Sequence, residues 1–327
     1  MGYSAQVIAR AQRRLAEQKA DKESRYRDAL ASAYKQEPRL QEIDGQLRRT
    51  MTLAARAAFQ DGTDAREAME QVKKANLALQ EERRQLIADR FPKNFLEEPT
   101  VCDRCGGNGY IGSHMCRCLG LICVEEQKKE ISMLTTGQET FRNFRLDYYP
   151  DRVDSTYGAS PRAIMERNLK YCRQYAQNFE QGLGNLLFVG GTGLGKTYLS
   201  ACIANAVTDK GFSVVYESAP GLFAKLEKNR FHSDEESNAE VAVLNSCDLL
   251  IIDDLGTEMA GNFVTASLYS LLNDRLLANK NMLISTNLNV DELAKRYSPQ
   301  IASRLQGQFR GLTFVGEDIR VLKSRGV

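Results

Sequence analysis

The chain has 327 residues, 43% hydrophobic and 26% charged, which is enough for a full α/β core and a smaller appended region. A formal net charge of +2 excludes a polycationic coat for nucleic acid, so any such contact must come from a local patch. No stretch reaches the ~18 consecutive apolar residues of a membrane span, and the opening MGYSAQVIARAQRRLAEQ lacks the apolar centre of a signal peptide, which predicts a soluble, cytoplasmic protein.

Residues 1–95 are rich in Ala, Gln, Glu, Arg and Lys, and Ile8, Ala11 and Leu15, then Leu40, Ile43 and Leu47, recur at three- and four-residue spacing. That period predicts helices. A bundle with solvated faces and an arm that binds a partner both fit, since a thin, weakly apolar helical segment buries little by itself. Pro92 and Pro99 end the pattern.

A second region, 96–135, holds VCDRCGGNGYIGSHMCRC, with Cys102, Cys105, Cys116 and Cys118 in a C-x2-C, ten-residue, C-x-C arrangement. Four thiolates complete a tetrahedral Zn²⁺ shell with no open position, the hallmark of a structural site. Glycines at 106, 107, 109 and 112 permit turns that bring both ends of the loop onto one ion. His114 is the rival ligand for one thiolate, and an iron–sulfur cluster is the rival group. The remaining cysteines, Cys123, Cys172, Cys202 and Cys247, sit in apolar surroundings, as expected of reduced thiols.

From 136 to 327 the texture changes. After an irregular linker with aromatic anchors, TGQETFRNFRLDYYPDR, the runs LLFV, SVVYE, LLIID, MLIST and LTFV alternate with helical segments. Alternation of this kind predicts βαβ units, a parallel five-stranded sheet covered by helices, and a ligand at the carboxyl ends of the strands.

Directly after LLFV comes GGTGLGKT, a full G-x-x-x-x-G-K-[ST] match followed by the helical TYLSACIANAV. Gly190, Gly191, Thr192, Gly193, Leu194 and Gly195 form a loop whose amides turn inward around phosphate oxygens, and the next helix points its positive end at the same place. Lys196 then contacts the β and γ phosphates and the Thr197 hydroxyl ligates Mg²⁺, with Tyr198 following in the first turn of the helix. The expected cofactors are ATP and Mg²⁺.

LLIIDDLGTE ends a buried strand in two adjacent carboxylates, Asp253 and Asp254, where repulsion and lost hydration both cost free energy. A nearby cation answers that cost. Asp253 serves the magnesium and Asp254 orients or deprotonates the attacking water, unless Asp254 merely caps the turn. Glu258 either reaches the site or, as the preferred reading, begins the next helix. Asn287, just past MLIST, offers an amide to the same water or simply ends its strand.

With GGTGLGKTYLSACIAN, LLIIDDLGTE, STN and SRL in that order, residues 136–327 resemble the AAA+ ATPases of the DnaC/DnaI helicase-loader group, and are also similar to IstB-type transposition helpers. The resemblance implies an AAA+ P-loop NTPase fold, ATP hydrolysis and assembly into a homo-oligomer. It gives Asn287 the first sensor position, Arg304 that of an arginine finger offered to the neighbouring subunit, and Arg320 that of the second sensor. Asp254 stands where many AAA+ proteins carry Glu, which leaves the identity of the base open. Loaders touch single-stranded DNA after their second strand, and there SAPGLFAKLEKNRFHSDEE supplies Lys225, Lys228 and Arg230 as the better candidates. Phe223 and Phe231 are the alternatives, and Leu222, Phe223 and Leu226 also suit the packed face of a helix.

Cysteine-bearing N-terminal regions among loaders imply an ATP-dependent loader that grips a DnaB-type replicative DNA helicase and deposits it on single-stranded DNA. The alternatives are a transposase helper and a nucleotide-gated binding module in which turnover is incidental.

Overall fold

The computed structural model describes residues 3–57, 63–134, 139–232 and 234–325. They form two compact units, one of residues 13–116 and one of residues 1–12 with 117–327. No helix of the described residues is long and apolar enough to cross a membrane.

The first unit holds most of α1 (Ala5–Gln36), then α2 (Pro38–Ala57), α3 (Thr63–Arg90) and a two-stranded antiparallel hairpin, β1 (Tyr110–Ile111) and β2 (His114–Met115). The expected helical period is realised, and its interruption has a local cause. Glu37 precedes Pro38, whose ring disfavours helical backbone at the residue before it, while Pro38 itself suits the first position of the next helix. Ala33, Leu40 and Phe91 are buried together, and Phe91 stacks on Phe95 at 5.0 Å. Asp44 accepts from the Tyr34 hydroxyl at 2.7 Å and pairs with Arg83 at 2.7 Å.

The second unit begins with α4 (Arg117–Leu134) and continues through α5 (Pro161–Gln177), β3 (Asn185–Val189), α6 (Lys196–Asp209), β4 (Val214–Ser218), α7 (Ala219–Phe231) and α8 (Glu235–Ser246). Then come β5 (Leu249–Leu255), α9 (Asn262–Leu277), β6 (Asn281–Thr286), α10 (Val290–Arg296), α11 (Pro299–Gln308), β7 (Phe309–Thr313) and α12 (Ile319–Ser324). The five strands lie in the order β4-β5-β6-β3-β7, all parallel. Side chains alternate between the two faces, as a period of two requires. Leu249 and Ile251 join one core with α5 and α6, whereas Leu250 and Ile252 join the other with α7, α9 and α11. Apolar runs without polar alternation are therefore strands sandwiched between two helical layers.

Strand order decides where a ligand can sit. From β3 the chain crosses to the edge strand β4 and returns through β5 and β6, and β7 is then laid on the opposite side of β3. The carboxyl end of β3 is thus the switch point of an open sheet, where ligands settle.

The units run differently from the sequence boundaries 1–95, 96–135 and 136–327. Tyr3, Val7 and Ala11 are buried, and within the second unit the Tyr3 hydroxyl donates to the Gly211 carbonyl at 3.2 Å. Arg10 reaches Glu126 at 3.5 Å and also pairs with Glu130, both on α4. Helical periodicity finds such a face without saying which element it will meet. Val7 is only 2% exposed on this face. Val7→Asp places a carboxylate there and is expected to cost about 3 kcal/mol in urea unfolding, against no measurable change for the exposed Glu23→Ala.

Candidate functional site

The phosphate loop leaves β3 strapped on both sides. Val189 accepts from the Phe314 amide at 2.7 Å, and the Gly190 amide donates to the Thr286 carbonyl at 3.2 Å. A Cβ at Gly190 would lie 2.4 Å from the Phe314 carbonyl oxygen, so only glycine lets these backbones approach. At Gly193 the backbone turns left-handed, φ 71°, and a Cβ would collide with the Asp318 carboxylate. The Ile319 amide closes the same contact on the Gly193 carbonyl at 3.0 Å.

Lys196 opens α6 and is only 4% exposed. Its ammonium donates to the carbonyls of Gly190 at 2.9 Å and Gly191 at 2.7 Å. Burial lowers its pKa, and Arg320 adds to that, while Asp254 and Asp253 pull the other way. One lysine, two aspartates and one arginine therefore share a single electrostatic site. Thr197 comes directly after Lys196 in the first turn of α6. A hydroxyl together with a hard carboxylate oxygen is a donor set that fits Mg²⁺.

Asp253 and Asp254 end β5 differently. Asp253 is buried, and its two oxygens accept from the Tyr216 hydroxyl at 2.9 Å and from the Ser285 hydroxyl. Asp254 adopts φ 56°, its amide donating to Ser285 Oγ at 2.8 Å. Burial raises the Asp254 pKa and the Asp253 charge raises it further, against the opposing pull of Lys196 and Arg320.

Asn287 is exposed just beyond β6 and lines a cleft of about 690 Å³ with Gly190, Gly191, Pro150, Tyr157 and Phe314. Arg320 stands at the start of α12 and acts on Lys196 and Asp254. Arg304 is elsewhere in its contacts: on α11 it lies over the Tyr269 ring at 4.3 Å and donates to that hydroxyl at 2.8 Å. Tyr198, expected at the nucleotide, packs its ring against Phe144 at 5.6 Å, and its hydroxyl donates to the Thr140 carbonyl. Glu258 precedes α9 rather than starting it, and is a buried anchor that accepts from the Gly256 amide and pairs with Arg296 at 3.3 Å.

Tyr149 was not singled out by its sequence context. From the linker it donates to the Leu194 carbonyl at 3.0 Å and holds the phosphate loop from behind.

On α7, Leu222 and Phe223 are core residues, so Phe223 belongs to the packed face. Lys225 pairs with Glu217. Lys228 and Arg230 are exposed, the Arg230 guanidinium 5.3 Å from the Phe263 ring and 5.8 Å from that of Phe231.

The thiols of Cys102, Cys105, Cys116 and Cys118 all lie within 4.8 Å of one another. The Cys102 and Cys116 sulfurs are 3.8 Å apart, close to the ~3.8 Å edge of a tetrahedron with Zn–S bonds of ~2.3 Å. The Gly109 amide donates to Cys105 Sγ at 3.3 Å, the kind of bond that steadies a thiolate ligand. These residues fit zinc. His114 stands outside the group, beside Ser113.

Purified protein is expected to carry zinc by elemental analysis, lost in Cys102→Ser and kept in His114→Ala. For Asp254 the sign is set by its raised pKa: the native state holds the proton more tightly than the unfolded chain, so ionisation costs stability as pH rises through the native pKa. Asp254→Asn should therefore melt higher than wild type near pH ~8, with the gain fading as the pH falls below the ordinary aspartate value of ~3.9, where both states become protonated.

Residues 158–303 match the family model described as IstB-like ATP binding protein. The replicative helicase loader DnaC of Escherichia coli K12 is 23% identical over 138 residues, covering 42% of this chain and 56% of the relative. DnaC of Buchnera aphidicola subsp. Acyrthosiphon pisum is 23% identical over 186 residues, 56% of this chain and 72% of that protein. The chain thus spans little more than half the length of the first of these relatives. Among solved structures, the DnaC helicase loader has a TM-score of 0.44 at 21% identity, covering 54% of this chain and 98% of that one. DnaI has a TM-score of 0.44 at 20% identity, covering 58% and 92%. With its phosphate loop, paired aspartates and five-stranded parallel sheet, the chain is similar over residues 158–303 to the IstB-like ATP binding proteins, and over 138 residues to the helicase loader DnaC.

Proposed function

We propose that this protein is an ATP-dependent loader of the replicative DNA helicase. The observation that supports this most is the single charge cluster of Lys196, Asp253, Asp254 and Arg320 at the switch point of the sheet. A triphosphate would take the place that the Gly190 and Gly191 carbonyls now occupy around the Lys196 ammonium, and the nucleoside would extend into the cleft beside Phe314. Thr197 and Asp253 would hold Mg²⁺, which when bound neutralises phosphate charge.

In this reading Asp254 accepts a proton from the attacking water at its carboxylate, and its raised proton affinity suits that role at neutral pH. Asn287 orients the same water. Lys196 and Arg320 meet charge developing on the transferred phosphoryl group from the same subunit, and Arg304 meets it from the next subunit of a homo-oligomer. Lys225, Lys228 and Arg230 form a cationic edge for single-stranded DNA, with Lys228 and Arg230 the more available because Lys225 is already paired. The N-terminal helices and the zinc knuckle grip a DnaB-type hexamer. ATP then favours the assembled, DNA-competent state by differential contacts, and hydrolysis releases it.

One observation favours a second reading: the matching family model is the IstB-like one. The same engine would then serve a transposase. A nucleotide-gated binding module is the third reading.

Native mass measurement on the full chain mixed with the host's replicative helicase, with and without ATP, separates the first two. Capture of the hexamer is expected; capture of a transposase instead would move the assignment. Multiple-turnover hydrolysis stimulated by single-stranded DNA is expected, and its absence with retained ATP binding would leave the third reading standing. Lys196→Ala should lower turnover at least ~100-fold.

A further inference from the structure

We propose that Tyr216 and Ser285 are positioning residues for the magnesium-site carboxylate of Asp253, and that Ser285 also fixes the direction in which Asp254 leaves the strand. This deepens the ATP reading and rests on it.

The origin lies in strand register. Ile252 pairs with Ile284 on β6, but the next pair is Leu255 with Thr286, so Asp253 and Asp254 together face the single residue Ser285. That is a β-bulge, and bulges re-aim side chains and leave a ladder amide without its backbone acceptor. In a regular strand, neighbouring residues would point to opposite faces. Here the bulge and the left-handed backbone of Asp254 let both carboxylates act on Lys196.

A serine opposite the bulge supplies what the ladder lacks. Its oxygen accepts from the Asp254 amide at 2.8 Å, and its proton goes to Asp253 Oδ1. One hydroxyl therefore ties the backbone of one aspartate to the side chain of the other. From the other flanking strand, Tyr216 donates to Asp253 Oδ2 at 2.9 Å. Asp253 is held by hydroxyls on both neighbouring strands, and Tyr216 and Ser285 are themselves buried. Such a carboxylate is fixed before a cation arrives, so less ordering remains to oppose binding.

Removing either hydroxyl leaves the fold's apolar contacts intact. Tyr216→Phe is isosteric; Ser285→Ala deletes one atom, and Ser285→Thr keeps the hydroxyl. The experiment measures affinity for a fluorescent ATP analogue across a magnesium titration and in EDTA, on the full chain. Tyr216→Phe and Ser285→Ala are expected to need ~10-fold more magnesium for half-maximal affinity, while binding in EDTA stays within about two-fold of wild type and Ser285→Thr recovers the wild-type curve. An unchanged magnesium curve in Tyr216→Phe and Ser285→Ala overturns the proposal. An equal loss with and without magnesium also overturns it, since that marks general damage. Should the wild type bind nucleotide with no magnesium dependence, the ATP reading itself falls.

Discussion

Charge is expensive inside a protein, and this fold concentrates it at one point. A lysine and an aspartate that are almost wholly buried share the ends of β3 and β5 with a second carboxylate and an arginine. Each must find a partner, because a desolvated charge without one costs several kcal/mol on the order of the whole stability margin. The partners come from every strand nearby: backbone carbonyls of the phosphate loop for Lys196, Tyr216 from β4 and Ser285 from β6 for Asp253. The sheet order is what brings those strands together. Shifting one strand by a residue would turn the hydroxyls to the wrong face.

Much of this was legible in the amino-acid sequence because it is local. The phosphate loop, its lysine and the strand before it lie within a dozen residues, and glycines at 190, 193 and 195 announce the loop. The five apolar runs announced the sheet, and the two-faced burial of β5 accounts for their lack of polar alternation. The four cysteines were legible for the same reason, a short loop closing on itself, and their thiols gather together with His114 outside the group.

What was not legible is carried by side chains distant in the chain. Tyr216 and Ser285 look like ordinary strand residues, since SVVYE and MLIST are apolar runs in which a hydroxyl attracts no notice. Their meaning depends on register, which no window of sequence reveals, and on a bulge that the DD pair only hints at. Tyr149 is similar, a tyrosine in an irregular linker that turns out to hold the Leu194 carbonyl. Tyr198 is similar in another way: adjacency to the motif suggests nucleotide contact, and the ring's packing against Phe144 is not visible from that adjacency. The first dozen residues share the helical texture of the arm that comes after them, yet they belong with the sheet, because periodicity names a buried face and not its partner.

The charge count of the cluster also bears on assembly. Lys196 and Arg320 already offset Asp253 and Asp254, so the site is close to neutral before any ligand enters. A triphosphate brings more negative charge than one divalent ion removes. Closing such a site in a low dielectric calls for another cation, and it gains most if that cation arrives only when phosphate charge must be met. Arg304 has the right chemistry and lies over Tyr269, away from the charges that act on Lys196. A deficit of positive charge at the site, with a half-buried arginine on another helix, is the electrostatic condition under which nucleotide binding and the self-association proposed above would favour one another.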